Sequence, residues 1–301
     1  MEYSPYTKEQ IMNNDDYQNL CNHFLKLANN EEEKNILKSI LYNGGYNNYT
    51  PNGQIGRDNP KIEIIRRAGL AYLFLEHPET FRKLIENNIT YFHGTNCNAL
   101  PNILKYGLNS VDESLKKGID IKTGESWSRI NGKRDYISFT DVLNIAREYS
   151  MTGGVRKNEL LFPIVFGTTK DEITKSVYTS TIQSYLPEVG IIDNLPLKSI
   201  KCIMVPEDKV KIIKKMTDEN ILVLAANSIT NQFYNIDIET GRVYINEEKY
   251  NDFKERKKEK IEIYGIKETV SKTKVSTAKN IIKILNNLIK GEQNDEHKRN
   301  R

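Results

Sequence analysis

The sequence predicts an α+β fold, and three observations carry that expectation. Apolar residues recur at helical spacing through the first part of the chain. The middle is rich in strand-like runs that helices interrupt at irregular intervals, and the end joins a β-hairpin to a charged helix. Regular strand-helix alternation, which a doubly wound parallel sheet would need, is missing.

The elements divide the chain into residues 1–88, 89–206 and 207–301. In the first segment, Leu20, Phe24, Leu25 and Leu27, then Ile36, Leu37, Ile40 and Leu41, then Ile64, Ile65, Ala68, Leu70, Ala71, Leu73 and Phe74 mark three helices. Between the second and third lies "NGGYNNYTPNGQIGRDNP", expected as a long surface loop from its Gly, Asn and Pro content. Pro78, which suits the first turn of a helix, opens a fourth helix through Phe81, Leu84 and Ile85. In the second segment "ITYFHG", "YISFT", "LLFPIVFG", "EVGII" and "IKCIMV" read as strands, with helices at Leu100–Tyr106 and Val142–Tyr149. In the third, "FYNIDIETGRVYIN" reads as a hairpin turning at Gly241. It is followed by a Lys/Glu-rich stretch at 254–260 and the amphipathic "AKNIIKILNNLIKG".

Composition narrows the function classes. The 301 residues carry 44 Lys+Arg against 40 Asp+Glu, a net charge of +4, too mild to announce a nucleic-acid binder. From Asn251 onward 14 basic residues face 8 acidic ones, so the excess sits in the tail. Interleaved Glu255, Glu259 and Glu262 favour a solvated helical face there over a phosphate-binding one, and aromatic residues for base stacking are scarce there, Tyr264 apart. Cys21, Cys97 and Cys202 are widely spaced and no histidines cluster, so neither a zinc site nor a disulfide framework is expected, and a reducing compartment fits. "MEYSPYTKEQ" lacks the basic start and apolar core of a signal peptide, and no apolar run is long enough to span a bilayer. The expected location is cytoplasmic, or a target cell reached through a dedicated secretion machine, with no membrane partner.

"YFHGTNCNALPNILKYGLNS", residues 91–110, places a scarce histidine, His93, at a strand end beside Gly94 and Thr95. A lone histidine there ordinarily satisfies a neighbouring carbonyl, while Gly94 removes a side chain and so leaves room for a ligand to approach the backbone. This H-G-T followed by I-L-x-x-G-L resembles the first signature of the diphtheria-toxin and poly(ADP-ribose) polymerase branch of the ADP-ribosyltransferases, the His-Tyr-Glu branch. The resemblance implies that His93 contacts a ribose hydroxyl of NAD and that the backbone of Gly94 holds the nicotinamide carboxamide. "YISFTDVLNIAREYS" matches the second signature, I-x-F-x-D leading into a helix. Ser138 stands where the family has its first tyrosine, and Tyr149, eleven positions later, where the second belongs. Half the aromatic sandwich around nicotinamide is therefore replaced, with Phe139 or Tyr136 as nearby substitutes. "SYLPEVGIIDNLPLKSIKCIMVP" is similar to the third signature and offers Glu188 as the carboxylate at a strand start.

The three stretches occur in the family's order from about Ile89 to Pro206, and together they imply an ADP-ribosyltransferase-like split β-sandwich core. That core would sit between a helical N-terminal region and a C-terminal hairpin and helix. The chemistry suits the residue types. Cleaving nicotinamide from ribose builds positive charge on the sugar, which a carboxylate stabilises more in the transition state than in the ground state. Glu188 is the catalytic candidate; His93, Gly94, Thr95, Ser138, Phe139 and Tyr149 are the NAD-binding candidates; no metal is needed.

The implied function is a mono-ADP-ribosyltransferase, acting as a toxin, effector or defence factor on an intracellular protein or nucleic acid. Leu186, two residues before Glu188, departs from the carboxylate or amide usual in arginine-modifying relatives, so arginine is not the favoured acceptor. "KSVYTSTIQSYLP" is expected as the loop that meets the target. The N-terminal helices are expected beside the NAD cleft as a lid, an accessory domain, or a surface for an antitoxin or chaperone. Three other readings stand beside this one: an idle ADP-ribosyltransferase-like domain that binds nucleic acid or a protein, an NAD glycohydrolase, and an RNA phosphotransferase. The last lacks its usual arginines here.

Overall fold

A computed structural model describes residues 14–43, 60–119, 135–151, 161–176, 178–180, 188–227, 232–237 and 242–263. The architecture is α+β. Four helices come first: α1 (Asp15–Lys26), α2 (Glu31–Asn43), α3 (Pro60–Glu76) and α4 (Pro78–Glu86). Local chemistry fixes their ends. Asn14 caps α1 by accepting from the Tyr17 amide at 3.0 Å, and Asp15 and Asp16 sit at the positive end of the helix dipole. Pro78 opens α4 as expected.

The next elements are β1 (Ile89–Asn96), α5 (Leu100–Tyr106), β2 (Leu108–Asn109), α6 (Val111–Lys116), β3 (Tyr136–Phe139), α7 (Leu143–Ser150), β4 (Pro163–Thr169) and α8 (Lys170–Lys175). Then follow β5 (Tyr178–Ser180), β6 (Val189–Ile192), β7 (Asn194–Leu195), β8 (Cys202–Val205), α9 (Val210–Lys214) and β9 (Leu222–Ala225). The hairpin β10 (Tyr234–Ile236) and β11 (Val243–Ile245) leads into α10 (Glu247–Ile263). The hairpin pairs Tyr234 with Ile245 and Ile236 with Val243, while its expected turn at Gly241 lies outside the described residues. So do the loop inside 43–60, the helix expected over "AKNIIKILNNLIKG" and most of "KSVYTSTIQSYLP".

Two sheets organise the middle of the chain. One has the order β1-β4-β8-β9, antiparallel except for the parallel β8–β9 pair; the other has the order β3-β6-β5, antiparallel throughout. Beyond an irregularity between Ile89 and Tyr91, strand alternation divides the first sheet's side chains between two faces. Phe92, Val165, Cys202, Met204 and Leu224 join a cluster with the N-terminal helices, α7, the hairpin and α10. Tyr91, Ile164, Phe166, Ile203 and Val205 join Ile137, Phe139, Val189 and Ile191 of the second sheet in another. One sheet face is therefore covered by helices and the other by a sheet. The two sheets also touch edgewise at one bridge, where Phe92 and Thr140 exchange main-chain bonds of 2.8 and 2.9 Å.

Four strands go beyond the sequence expectation: the short pair β2–β7, and β5 and β9. β9 is a short apolar run whose pairing arises through the crossover containing α9, and β5 forms within the expected target loop by pairing with β6. Gly107 ends α5 at φ 78°, its amide donating to Ile103 O at 2.9 Å, and a Cβ there would lie 2.5 Å from the Leu195 carbonyl oxygen. Only glycine meets both demands. Among the described residues no helix is long and apolar enough to cross a membrane.

Candidate active site

The β3–β6 register sets the face on which the candidate residues stand. Ile137 and Phe139 enter the core together with Val189 and Ile191, so Tyr136 and Ser138 project from the opposite face of β3. Ser138 pairs with Gly190, and Glu188, two residues earlier and just ahead of β6, is the diagonal neighbour of Ser138. The Ser138 hydroxyl donates to Glu188 Oε1. The Ser138 carbonyl in turn accepts from His93 Nδ1 at 2.8 Å. A single serine therefore grips the carboxylate with its side chain and the imidazole with its main chain.

That second bond fixes the histidine tautomer. A carbonyl only accepts, so Nδ1 carries the hydrogen and Nε2 of the neutral ring keeps a lone pair. Burial lowers the His93 pKa from its ordinary value, opposed by the bond to Ser138. Part of the residue still meets solvent, yet the ring lies deep enough for desolvation to dominate. Phe139 backs it, with ring centroids 5.6 Å apart at 44°. At 1% exposure Phe139 is a core residue beneath His93 and presents no open face for stacking.

Gly94 has a different reason to be glycine from the one the sequence suggests. The direction a Cβ would take is filled by α7 and not by an approaching ligand: the atom would lie 1.8 Å from Ala146 O and 2.8 Å from both Ala146 C and Ser150 N. Its peptide is what faces outward. Phe92 spends its amide and carbonyl on Thr140, at the β1 edge away from β4, and Gly94, two residues on, turns its own to that same edge. Thr95 is half-buried and shares a strand face with His93.

α7 carries Tyr149 to the same junction. Its side of the helix is outward, 45% exposed, while Leu143, Ala146 and Arg147 are buried. Burial raises the Tyr149 phenol pKa, and the Glu188 charge raises it further, which places the two within electrostatic reach. Tyr136 is half-buried, and its phenol is pushed up by burial first, then by Glu188 and by Asp135, against a hydrogen bond with Ser138. His93, Gly94, Thr95, Ser138, Tyr149 and Glu188 are thus gathered where the two sheets meet, with Phe139 underneath and Tyr136 alongside.

The strand-to-helix turn that aims α7 is anchored from far away in the sequence. Thr140 Oγ1 accepts from the Val142 amide at 3.1 Å, and Arg66 Nη2 on α3 donates to both Asp141 oxygens, at 3.1 and 3.0 Å. Asp141 is 2% exposed and Arg66 7%. Arg66 also bonds Glu63, which accepts from Arg67 Nε at 2.7 Å. Asn144 donates to the Tyr234 hydroxyl at 2.7 Å, tying α7 to the hairpin. Asp141 stands in the I-x-F-x-D frame, but nothing in the sequence signals its partner 75 residues earlier. Among the described residues no group of three or more His, Cys, Asp or Glu side chains is arranged to hold a metal ion.

No protein-family model matches the chain, and no curated protein matches it. Among solved structures the chain is similar to Thermosipho africanus DarTG in complex with ADP-ribose, at 12% sequence identity and a TM-score of 0.36. The likeness covers 45% of this chain and 49% of that one, so the chain spans about half the length of the protein it resembles.

Proposed function

We propose that this chain is an NAD-dependent mono-ADP-ribosyltransferase whose residues 89–206 form an ADP-ribosyltransferase-like split β-sandwich. NAD is its substrate, and the acceptor is an intracellular protein or nucleic acid, in the service of a toxin, effector or defence factor. The observation that carries this reading is the Ser138 link, which holds a carboxylate and a neutral histidine at one sheet junction.

The residues suit NAD group by group. His93 Nε2 is an acceptor for a ribose hydroxyl, and the peptide edge at Gly94 offers one donor and one acceptor, the complement of a primary carboxamide. Tyr149 gives a ring for the pyridinium to rest on, and Glu188 accepts from a ribose hydroxyl as charge grows at the sugar carbon. When the carbon–nitrogen bond breaks, its electron pair leaves with neutral nicotinamide, and the acceptor's nucleophile takes the sugar carbon and sheds its proton. Phe139 holds His93 at its angle and does not itself meet NAD.

Purified protein is incubated with labelled NAD and a cell lysate separated into protein and nucleic-acid fractions, with Glu188→Gln and His93→Ala alongside. Label is expected in one fraction, reduced at least about 100-fold by Glu188→Gln, the scale of losing one aimed stabilising group. Nicotinamide release without label transfer would make the protein a glycohydrolase. Absence of both NAD binding and turnover in the wild type would reject the enzyme reading.

A further inference from the structure

We propose that Asp141, Asn144 and Arg147 are positioning residues, a buried polar spine that fixes the rotation of α7 about its axis and so aims Tyr149 at the sheet junction. This rests on the transferase reading above and concerns how the helix of that site is aimed, through groups buried on its other side.

The three residues recur at every third position, from the turn before α7 into the helix, and are 2%, 4% and 2% exposed. Each reaches a different element. Asp141 accepts from Arg66 of α3 at 3.1 and 3.0 Å, Asn144 donates to the Tyr234 hydroxyl of β10 at 2.7 Å, and Arg147 Nη2 donates to the Asn227 carbonyl just beyond β9. Gln232 Nε2 adds a bond to Asn144 Oδ1 at 3.3 Å. α3 passes so close that a Cβ at Gly69 would lie 2.6 Å from the Asn144 side chain, which seats that amide against the helix. At about 100° per residue, Tyr149 lies roughly 140° from Asn144 and roughly 160° from Arg147 around α7. The spine and the exposed ring therefore occupy opposite sides of one helix.

Stability does not account for the spine. Buried polar and ionic contacts are often replaceable by apolar side chains of similar volume without loss. Arg147 carries an added cost, because its Nε and Nη1 are buried without a hydrogen-bond partner among the described residues. What polar contacts supply is direction. An apolar face can roll against its neighbours with little change in buried area, whereas hydrogen bonds to three separate elements hold one rotation. Side chains reach about 5–6 Å from a helix axis, so a roll of about 10° moves a ring by about 1 Å. A shift of that size is on the scale that costs about 100-fold in rate.

The double variant Asn144→Leu/Tyr234→Phe removes both partners of one spine bond and nearly keeps their volume. Because neither end of that bond is left unmet, its urea midpoint is expected to stay within about 0.5 M of wild type. Its kcat/KM for NAD is expected to fall by about 10- to 100-fold. In a Tyr149→Ala background the same two changes are expected to cost less than about twofold, since the group they aim is gone. Thr168→Val removes a buried 2.6 Å bond to the Ser199 carbonyl on another element, and as the control it is expected to keep kcat/KM within about threefold of wild type. With Tyr149 replaced by meta-fluorotyrosine, fluorine NMR in the absence of NAD is expected to show a displaced or split resonance in the double variant. A wild-type kcat/KM in the double variant, an equal loss with and without Tyr149, or an unmoved fluorine resonance would overturn the spine while leaving the transferase standing. Absence of turnover in the wild type would reject the transferase, and the fluorine resonance would still decide the spine.

Discussion

Gly94→Ala tests whether β1 and α7 are packed as closely as the structure places them. The added methyl would lie 1.8 Å from Ala146 O, whereas ordinary contact begins near 3.4 Å, so α7 would have to retreat by about 1.6 Å. The other near atoms, Ala146 C and Ser150 N at 2.8 Å, are also main chain, which no rotamer change moves aside. Overpacking of this kind costs about 1–3 kcal/mol. With a urea dependence of about 2 kcal/mol per molar, the unfolding midpoint is expected to fall by roughly 0.5–1.5 M. Because Tyr149 rides on α7, NAD turnover is expected to fall by about 100-fold, the scale of an ångström-level misplacement. Ala146→Gly in the same chain is expected to restore neither quantity, since the clash is with its backbone. Urea unfolding followed by circular dichroism, with turnover on the same samples, decides the matter. A wild-type midpoint in Gly94→Ala, or rescue by Ala146→Gly, would refute the argument.

Burial holds the His93 pKa below that of an unfolded histidine, so the unfolded chain takes up a proton first as pH falls. Stability from this group is complete above about pH 6.5, the unfolded value, and is lost as pH drops toward the folded one. His93→Gln is therefore expected to show a shallower decline in urea midpoint between pH 7 and 5 than wild type. Arg66→Met and Asp141→Leu each remove one partner of a buried ion pair, and single variants are expected to lose about 3–5 kcal/mol by thermal unfolding, with the double variant losing less than the sum of the singles. Burial also pushes the Cys21 thiol up to about 11 and the Cys202 thiol up to about 12, so both are expected to escape iodoacetamide at pH 8 in the folded protein and to react after unfolding, as read by mass spectrometry.

Much of this fold is legible in local pattern. "ITYFHG", "YISFT" and "IKCIMV" become β1, β3 and β8 because their apolar residues suit a pleated, buried surface, and the α5 boundaries coincide with Leu100–Tyr106 because Gly107 can leave the helix at positive φ. β5 is illegible for the opposite reason, since Tyr178–Ser180 becomes a strand only by pairing with β6. The site divides the same way. His93 and Glu188 stand out in the sequence as residue types at motif positions, while the two bonds of Ser138 depend on how β1, β3 and β6 meet. Gly94 is visible as a glycine, but the helix that requires it is 52 residues away at Ala146.

The N-terminal helices bear on the site through α7. One side of α7 presses its backbone on β1 at Gly94, and the turn before it is pinned by Arg66 of α3 through the Asp141 carboxylate. The side chains of α3 and α4, among them Ala68, Tyr72 and Leu84, share a continuous apolar cluster with Leu143 and Ala146 of α7 and with Phe92 of β1. A lid must open at small cost, on the order of the few kcal/mol that separate populated conformers. Lifting α3 would take Arg66 away from the buried Asp141 carboxylate and expose that cluster to water, two penalties that each exceed such a gap. α3 therefore works as a fixed brace that sets the angle of α7. Among the described residues, the side of the junction turned away from that core is the outward face of β3 and β6, which bears Tyr136 and Ser138.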